Sequence, residues 1–227
     1  MIRRFTHFFP AVALALALSF ATSASAQDYK AATSAVPVPP EISSAIRALL
    51  SPASTSVAGP GGSPYCEIWM RTGIPAAAQP SSALGVNYGT LVEGEVVGAI
   101  HFDVAVKDFR NQSVKPGTYL MRYGQQPVDG NHQGVSDYRD FFLLTPPDQD
   151  ASADILADNA MYVLSRKTTT TGHPSVWSLV PTDSAPASLP GAAQNTDENF
   201  WAVYFKAAIG SSPTTLGLVI FGHAATP

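Results

Sequence analysis

The sequence predicts an all-β fold: an antiparallel β-sandwich of the immunoglobulin-like kind carrying one or two short helices, with a small β-barrel as the alternative. Three observations carry that expectation. At least seven segments read as strands, by apolar alternation or as short apolar runs bounded by turn residues. No strand alternates with a long helix, as a parallel α/β sheet requires. Only 13% of the 227 residues are charged, while 17 Gly and 19 Pro supply turns, so long charged helices are disfavoured. A sandwich and a barrel both bury alternate residues, so periodicity does not separate them.

Residues 1–26 carry the three parts of a secretory signal peptide: Arg3 and Arg4, an apolar stretch over residues 11–21, and Ala24-Ser25-Ala26 as the small-residue cleavage site. Thr22, Ser23 and Ser25 end the apolar run short of the ~20 residues a spanning helix needs. Cleavage before Gln27 is expected, with a secreted or periplasmic location and no membrane insertion afterwards. Without Arg3 and Arg4, 11 basic residues face 17 acidic ones, a formal charge of −6. That balance argues against a nucleic-acid partner. The single cysteine, Cys66, allows no internal disulfide, so buried apolar surface must hold the fold.

Residues 27–63 read as an N-terminal extension ahead of a β domain over residues 64–227. Residues 27–40 are small, polar and Pro-rich. A short helix is expected over residues 41–50, where Ile42, Ile46, Leu49 and Leu50 share a side, Pro40 fits the first turn and Pro52 stops continuation. Residues 51–63 (SPASTSVAGPGGS) read as a flexible link, because no Gly-Lys-Ser/Thr follows the glycines to make a phosphate loop.

Strand signals begin at residue 65. Cys66, Ile68 and Met70 alternate with Glu67, Trp69 and Arg71, so Trp69 needs cover from a second sheet or from the 41–50 helix. Residues 95–107 form the clearest strand, with Val96, Ile100, Phe102, Val104 and Val106 on one face and Glu95, His101, Asp103 and Lys107 on the other. Lys115-Pro116-Gly117-Thr118 is a turn leading into a strand at residues 119–123, and residues 140–145 (DFFLLT) form a short apolar strand ended by Pro146-Pro147. Residues 154–166 suit a helix, acidic at the start and basic at the end. A strand at residues 175–180 is followed by a long polar loop over residues 181–199. Residues 200–207 and 215–223 then pair as antiparallel core strands.

The chemistry concentrates in the loop at residues 125–140, which holds Asp129, His132, Asp137, Tyr138, Arg139 and Asp140. Long loops of this kind are commonly functional, and these six are the candidate contacts for a ligand or partner. A purely structural loop would instead have turns at Asp129-Gly130-Asn131 and Gly134, with Arg139 in a forked ion pair to Asp137 or Asp140. A divalent metal is the second ligand class. His101 and Asp103, two apart on a strand, emerge on one face, and His132 and His173 would have to join them. No cofactor is expected otherwise.

Within and around this loop lie Pro116-Gly117-Thr118-Tyr119, Arg122-Tyr123, Gln126-Pro127, Asp129-Gly130-Asn131-His132 and Tyr138-Arg139-Asp140-Phe141. Ser165-Arg166-Lys167, His173-Pro174 and Gly222-His223 follow. In these runs the chain resembles an uncharacterised group of secreted bacterial proteins, over roughly residues 65–223. The resemblance implies a shared periplasmic or extracellular β-rich domain and supplies no catalytic residues.

Three functions follow in order of expectation. The first is a non-enzymatic secreted protein binding a small molecule or protein partner through residues 125–140. The second is a metal-binding protein using His132 with His101 or His173. The third is a hydrolase built on the loop's Asp and His residues, although the Gly-x-Ser-x-Gly elbow is absent. Cys66, on an apolar face, is expected to be buried and inert.

Overall fold

Strands β1 (Lys30–Ser34), β2 (Ser54–Ala58), β3 (Pro64–Met70), β4 (Val96–Phe102), β5 (Val106–Lys107) and β6 (Ser113–Val114) make up the first half of the protein. Then come β7 (Gly117–Gln125), β8 (Asp140–Thr145), β9 (Val176–Val180), β10 (Gly191–Asn195), β11 (Phe200–Ile209) and β12 (Ser212–Phe221), with helices α1 (Ser44–Arg47) and α2 (Asp158–Ser165). This computed structural model describes residues 28–129, 132 and 136–223. The expected signal peptide and the turn residues Gly130, Asn131 and Gly134 lie outside the described residues.

Ten strands form one antiparallel sheet in the order β1-β2-β3-β4-β7-β8-β9-β12-β11-β10, while β5 and β6 pair separately. The sheet is nearly closed into a barrel, β1 coming back beside β10. One continuous strand order thus takes the place of the two stacked sheets of an immunoglobulin-like sandwich. Aromatic contacts hold the open edge: Tyr29 lies 5.7 Å from Trp201 and 5.5 Å from Phe221, ring centre to ring centre. Tyr65 on β3 donates its hydroxyl to the Ile220 carbonyl on β12 at 2.6 Å, a tie from one side of the barrel to the other.

Alternation along the strands sets what faces inward. Cys66, Ile68 and Met70 enter the interior with Ile100, Phe102, Met121 and Phe142, and Phe102 stacks on Trp177 with centroids 4.8 Å apart. Trp69 points outward, where Ile42, Ile46 and Leu50 bury it and its indole N–H donates to the Val36 carbonyl at 2.8 Å. The apolar spacing read over residues 41–50 therefore identifies the covering face. The helix itself is only α1, because Ser43 caps it by accepting from the Ile46 N–H at 3.3 Å.

Four further expectations are corrected. Residues 51–63 are not a flexible link: they carry β2, whose Val57 enters the core and whose register pairs Thr55 with Ile68 and with Thr33 of β1. The polar loop over residues 181–199 contains β10, paired with β11. A register shift between Val96 and Gly98 puts Val96 on the outer face beside Trp69 and turns Val97 inward. The strand also ends at Phe102, leaving Val104 exposed. The helix expected over residues 154–166 is α2, with Asp158 in its first turn.

The outer face of β7 and β8 is organised by a buried charge. Arg122 donates from Nε and Nη2 to the two oxygens of Asp150 at 2.7 and 2.6 Å. It also donates to the carbonyls of Gly94, Asp154 and Ser152 at 2.6, 2.9 and 2.8 Å, so all five of its N–H groups are used. Thr145 adds a hydroxyl donor to Asp150 at 2.5 Å. Gly94 is required here: its φ is +81°, and a Cβ would lie 1.9 Å from the Leu156 carbonyl oxygen. Arg122→Met, which strands the Asp150 charge, is expected to cost about 3–5 kcal/mol in urea unfolding. Arg122→Met with Asp150→Leu is expected to recover much of that loss. A double variant no more stable than the single one would show that the stranded charge is not what destabilises Arg122→Met.

Candidate functional site

The six loop residues singled out by sequence have different fates. Asp140 begins β8 and is buried. Its carboxylate accepts from the Tyr123 hydroxyl at 2.6 Å, the Asn87 N–H at 2.6 Å and the Tyr88 N–H at 3.3 Å. It therefore binds the 84–88 segment to the barrel and presents nothing to a partner. Burial and the adjoining carboxylate push the Tyr123 hydroxyl far above its usual range. Arg139 makes no forked ion pair with Asp137 or Asp140. Its guanidinium donates to the Gln126 carbonyl at 2.9 and 3.3 Å and to the Leu84 carbonyl at 3.3 Å, stapling two loops together.

Asp129, His132 and Tyr138 line a cleft of about 500 Å³. The lining also takes in Phe109, Arg110, His173 and Pro174, a floor that includes Phe141, Leu143 and Val176, and Tyr162 and Arg166 from α2 and its C-cap. Asp108 holds the segments that bear Arg110 and Val176. One of its oxygens accepts from the N–H groups of Arg110 and Gln112 at 3.0 and 2.8 Å, and the other from Gln112 Nε2 and the Val176 N–H at 2.7 and 2.9 Å. Gln112 Nε2 also donates to the Pro174 carbonyl at 3.0 Å, fixing the turn that bears His173.

The hydrogen-bond network assigns the protons of the two imidazoles. His173 Nδ1 lies 2.9 Å from the Pro174 carbonyl, which can only accept, so Nδ1 carries the proton and the neutral ring has its lone pair on Nε2. His132 Nδ1 lies 2.7 Å from Asp129 Oδ1, and the same reasoning leaves Nε2 as its proton-exchanging nitrogen. Burial first, then the positive charge of Arg110 and the neighbouring His132, push His173 below its ordinary value; the Pro174 carbonyl and Asp108 oppose the shift. Arg110 and Arg166 give the cleft two permanent positive charges, against the single carboxylate of Asp129.

A second cleft has a volume of about 880 Å³. It takes in Asp137 with Asp197, Glu198 and Lys107 at its rim and Tyr29, Tyr65 and Phe200 among its walls. Tyr138 and Ser136 border both clefts. Tyr138 donates its hydroxyl to Glu198 Oε1 at 2.7 Å and meets Phe200 edge-on at 6.5 Å.

The histidines expected to share a metal are divided between two places. His101 projects from the outer face of β4, its Nδ1 2.9 Å from Thr118 Oγ1, while the Thr118 hydroxyl donates to Glu41 at 2.5 Å and lowers that carboxyl's pKa. β4 ends before Asp103, which lies exposed in the bend that follows, so it does not continue His101's ladder position. Only His132 and His173 share a cleft. Among the described residues no group of three or more His, Cys, Asp or Glu side chains is placed to hold a metal ion. Cys66 is buried, and desolvation raises its thiol pKa well above the ordinary value.

Arg110, Tyr162 and Arg166 were not singled out as site residues from the sequence, since Arg110 lies in a turn and Tyr162 and Arg166 on a helix, both far along the chain from the 125–140 loop. Only Arg166 fell within one of the runs carrying the resemblance, at Ser165-Arg166-Lys167. Because His173 titrates below 6.5 in the folded protein, the unfolded chain takes up its proton first as the pH falls. The stability from keeping His173 neutral is present above that value and is lost as the pH falls through the lowered pKa. Urea midpoints measured between about pH 7 and pH 5 are therefore expected to drop more steeply for the wild type than for His173→Asn. Parallel curves would count against it.

Compared with known proteins, the chain matches no family model, no curated protein and no solved structure.

Proposed function

We propose that the protein is exported and binds a small organic anion with an apolar body in the cleft between Asp129–His132 and Arg110–His173. Export is supported by Arg3 and Arg4, the apolar stretch that follows and Ala24-Ser25-Ala26. The observation that carries the binding reading is the local reversal of charge. The chain as a whole is acidic, yet this cleft sets Arg110 and Arg166 around a floor of Phe141, Leu143 and Val176, and its one carboxylate is already paired with His132. A low-dielectric floor strengthens the attraction of the two guanidinium groups for an anion, while the apolar and aromatic walls reward burial of its organic part.

A cleft of about 500 Å³ falls within the size range of small-molecule sites. Two described parts of the lining are also braced. Asp108 fixes one side through four N–H donors, and Arg139 fixes the other through the Gln126 carbonyl.

Anilinonaphthalene sulfonate, an aromatic anion, is a direct probe. It is expected to bind the native mature protein saturably, with added salt weakening the interaction, and Arg110→Ala with Arg166→Ala is expected to raise its Kd at least about tenfold. Equal affinity for the wild type and the double variant would overturn the assignment of the cleft.

A further inference from the structure

We propose that this cleft is an acid–base site that hydrolyses phosphodiesters, with His173 as general base and His132 as general acid. The proposal rests on the anion-binding reading of the same cleft and adds turnover and a substrate class to it. It begins from the placement of the two imidazoles. His132 comes from the loop joining β7 and β8, His173 from the segment before β9, and both line the one cleft. Each ring is held through Nδ1, to Asp129 and to the Pro174 carbonyl, so Nε2 is the exchanging nitrogen in both.

Their surroundings divide the two roles. His173 has Arg110, Asp108 and His132 as its charged or titratable neighbours, and its Nδ1–H donates to the Pro174 carbonyl, which leaves Nε2 to accept a proton. His132 faces the Asp129 carboxylate, the counter-charge for a ring carrying protons on both nitrogens. Two imidazoles in a shared cleft, one held by a backbone carbonyl and the other by a carboxylate, can serve as base and acid in a paired proton transfer.

Serine-based acyl transfer fits less well. Among the described residues no serine hydroxyl is hydrogen-bonded to either imidazole; Ser136 Oγ, the serine nearest in sequence to His132, accepts instead from the Tyr138 N–H at 3.1 Å. Water is therefore the nucleophile. The two arginines favour phosphorus over carbon as the centre attacked. A phosphodiester brings one negative charge to the cleft and gathers more as the attacking oxygen adds, so two fixed cations match the transition state better than the ground state. The apolar floor takes one of the ester's organic groups.

The step balances without an outside reagent. Water oxygen forms a bond to phosphorus and gives a proton to His173 Nε2. The bond from phosphorus to the leaving oxygen breaks, and that oxygen takes the proton from His132 Nε2. Diester and water become monoester and alcohol, and exchange with solvent returns the two rings to their starting protonation.

Bis(para-nitrophenyl) phosphate reports turnover by colour, and diphenyl phosphate, a far slower substrate, reports binding by calorimetry. The mature protein is expected to release nitrophenolate with a bell-shaped pH dependence and an undiminished rate in EDTA. His173→Asn, checked for native circular dichroism, is expected to lose at least about a hundredfold in rate, and His132→Asn to lose less on this substrate, whose nitrophenolate leaves without a proton, while both still bind diphenyl phosphate. Arg110→Ala with Arg166→Ala is expected to lose both. Binding of diphenyl phosphate without turnover, a rate unchanged in both histidine variants, or a rate abolished by EDTA would overturn the acid–base site while leaving the anion-binding reading standing. Neither binding nor turnover would remove both.

Discussion

A fully buried ion pair on the outside of the barrel is the constraint from which much of the remaining structure follows. Arg122 stands in the middle of β7 with no access to water, and every one of its N–H groups reaches a partner: the Asp150 carboxylate and three backbone carbonyls. A guanidinium withdrawn from water is tolerable only when it is satisfied in this way. The requirement fixes residues 150–154 against the outer face of β7 and ties them to Gly94. α2 begins just beyond, laying Met161 on Phe141 and Leu143 and bringing Tyr162 and Arg166 to the cleft. A charge that takes no part in the cleft's chemistry thus helps to set where one of its walls lies.

Two other buried carboxylates do similar work on the backbone. Asp140 gathers the 84–88 segment, and Asp108 gathers residues 110–112 and the start of β9. An ionised carboxylate can accept several N–H bonds at once, so one short side chain satisfies backbone groups that the sheet leaves unpaired. The residues facing the cleft are consequently relieved of holding it together. Asp129 and His132 engage each other rather than the barrel core, and the Arg110 side chain is exposed at the lip.

The fold was legible in proportion to how strongly each segment alternates. β3, β7, β8, β11 and β12 announce themselves because their inward positions are large and apolar, and Ile42, Ile46 and Leu50 mark the face that shelters Trp69. β1, β2 and β10 are built of Ala, Ser, Thr, Gly, Gln and Asn with few large apolar residues, so they read as linker and loop. Their strand character comes from pairing with a neighbour already in place, and not from their own composition. Val96 misled for a different reason: a register shift inserts a residue, and every inference about faces changes sign across it.

Of the candidate site, the loop at residues 125–140 and the pair Asp129–His132 were visible because they are neighbours in the chain. The fates of Asp137, Tyr138, Arg139 and Asp140 were not, since similar polar residues a position or two apart meet different depths of the barrel. By itself the sequence determined where most of its strands rich in large apolar residues and its short helices would lie and where polar chemistry would concentrate, since alternation and turn chemistry are local properties. Only the tertiary structure decided that the strands close into a single sheet, that Arg122 meets Asp150, and that Arg110, His132, Arg166 and His173 surround one space. Those meetings depend on strand order and register, which join segments far apart in the chain and which no local pattern encodes.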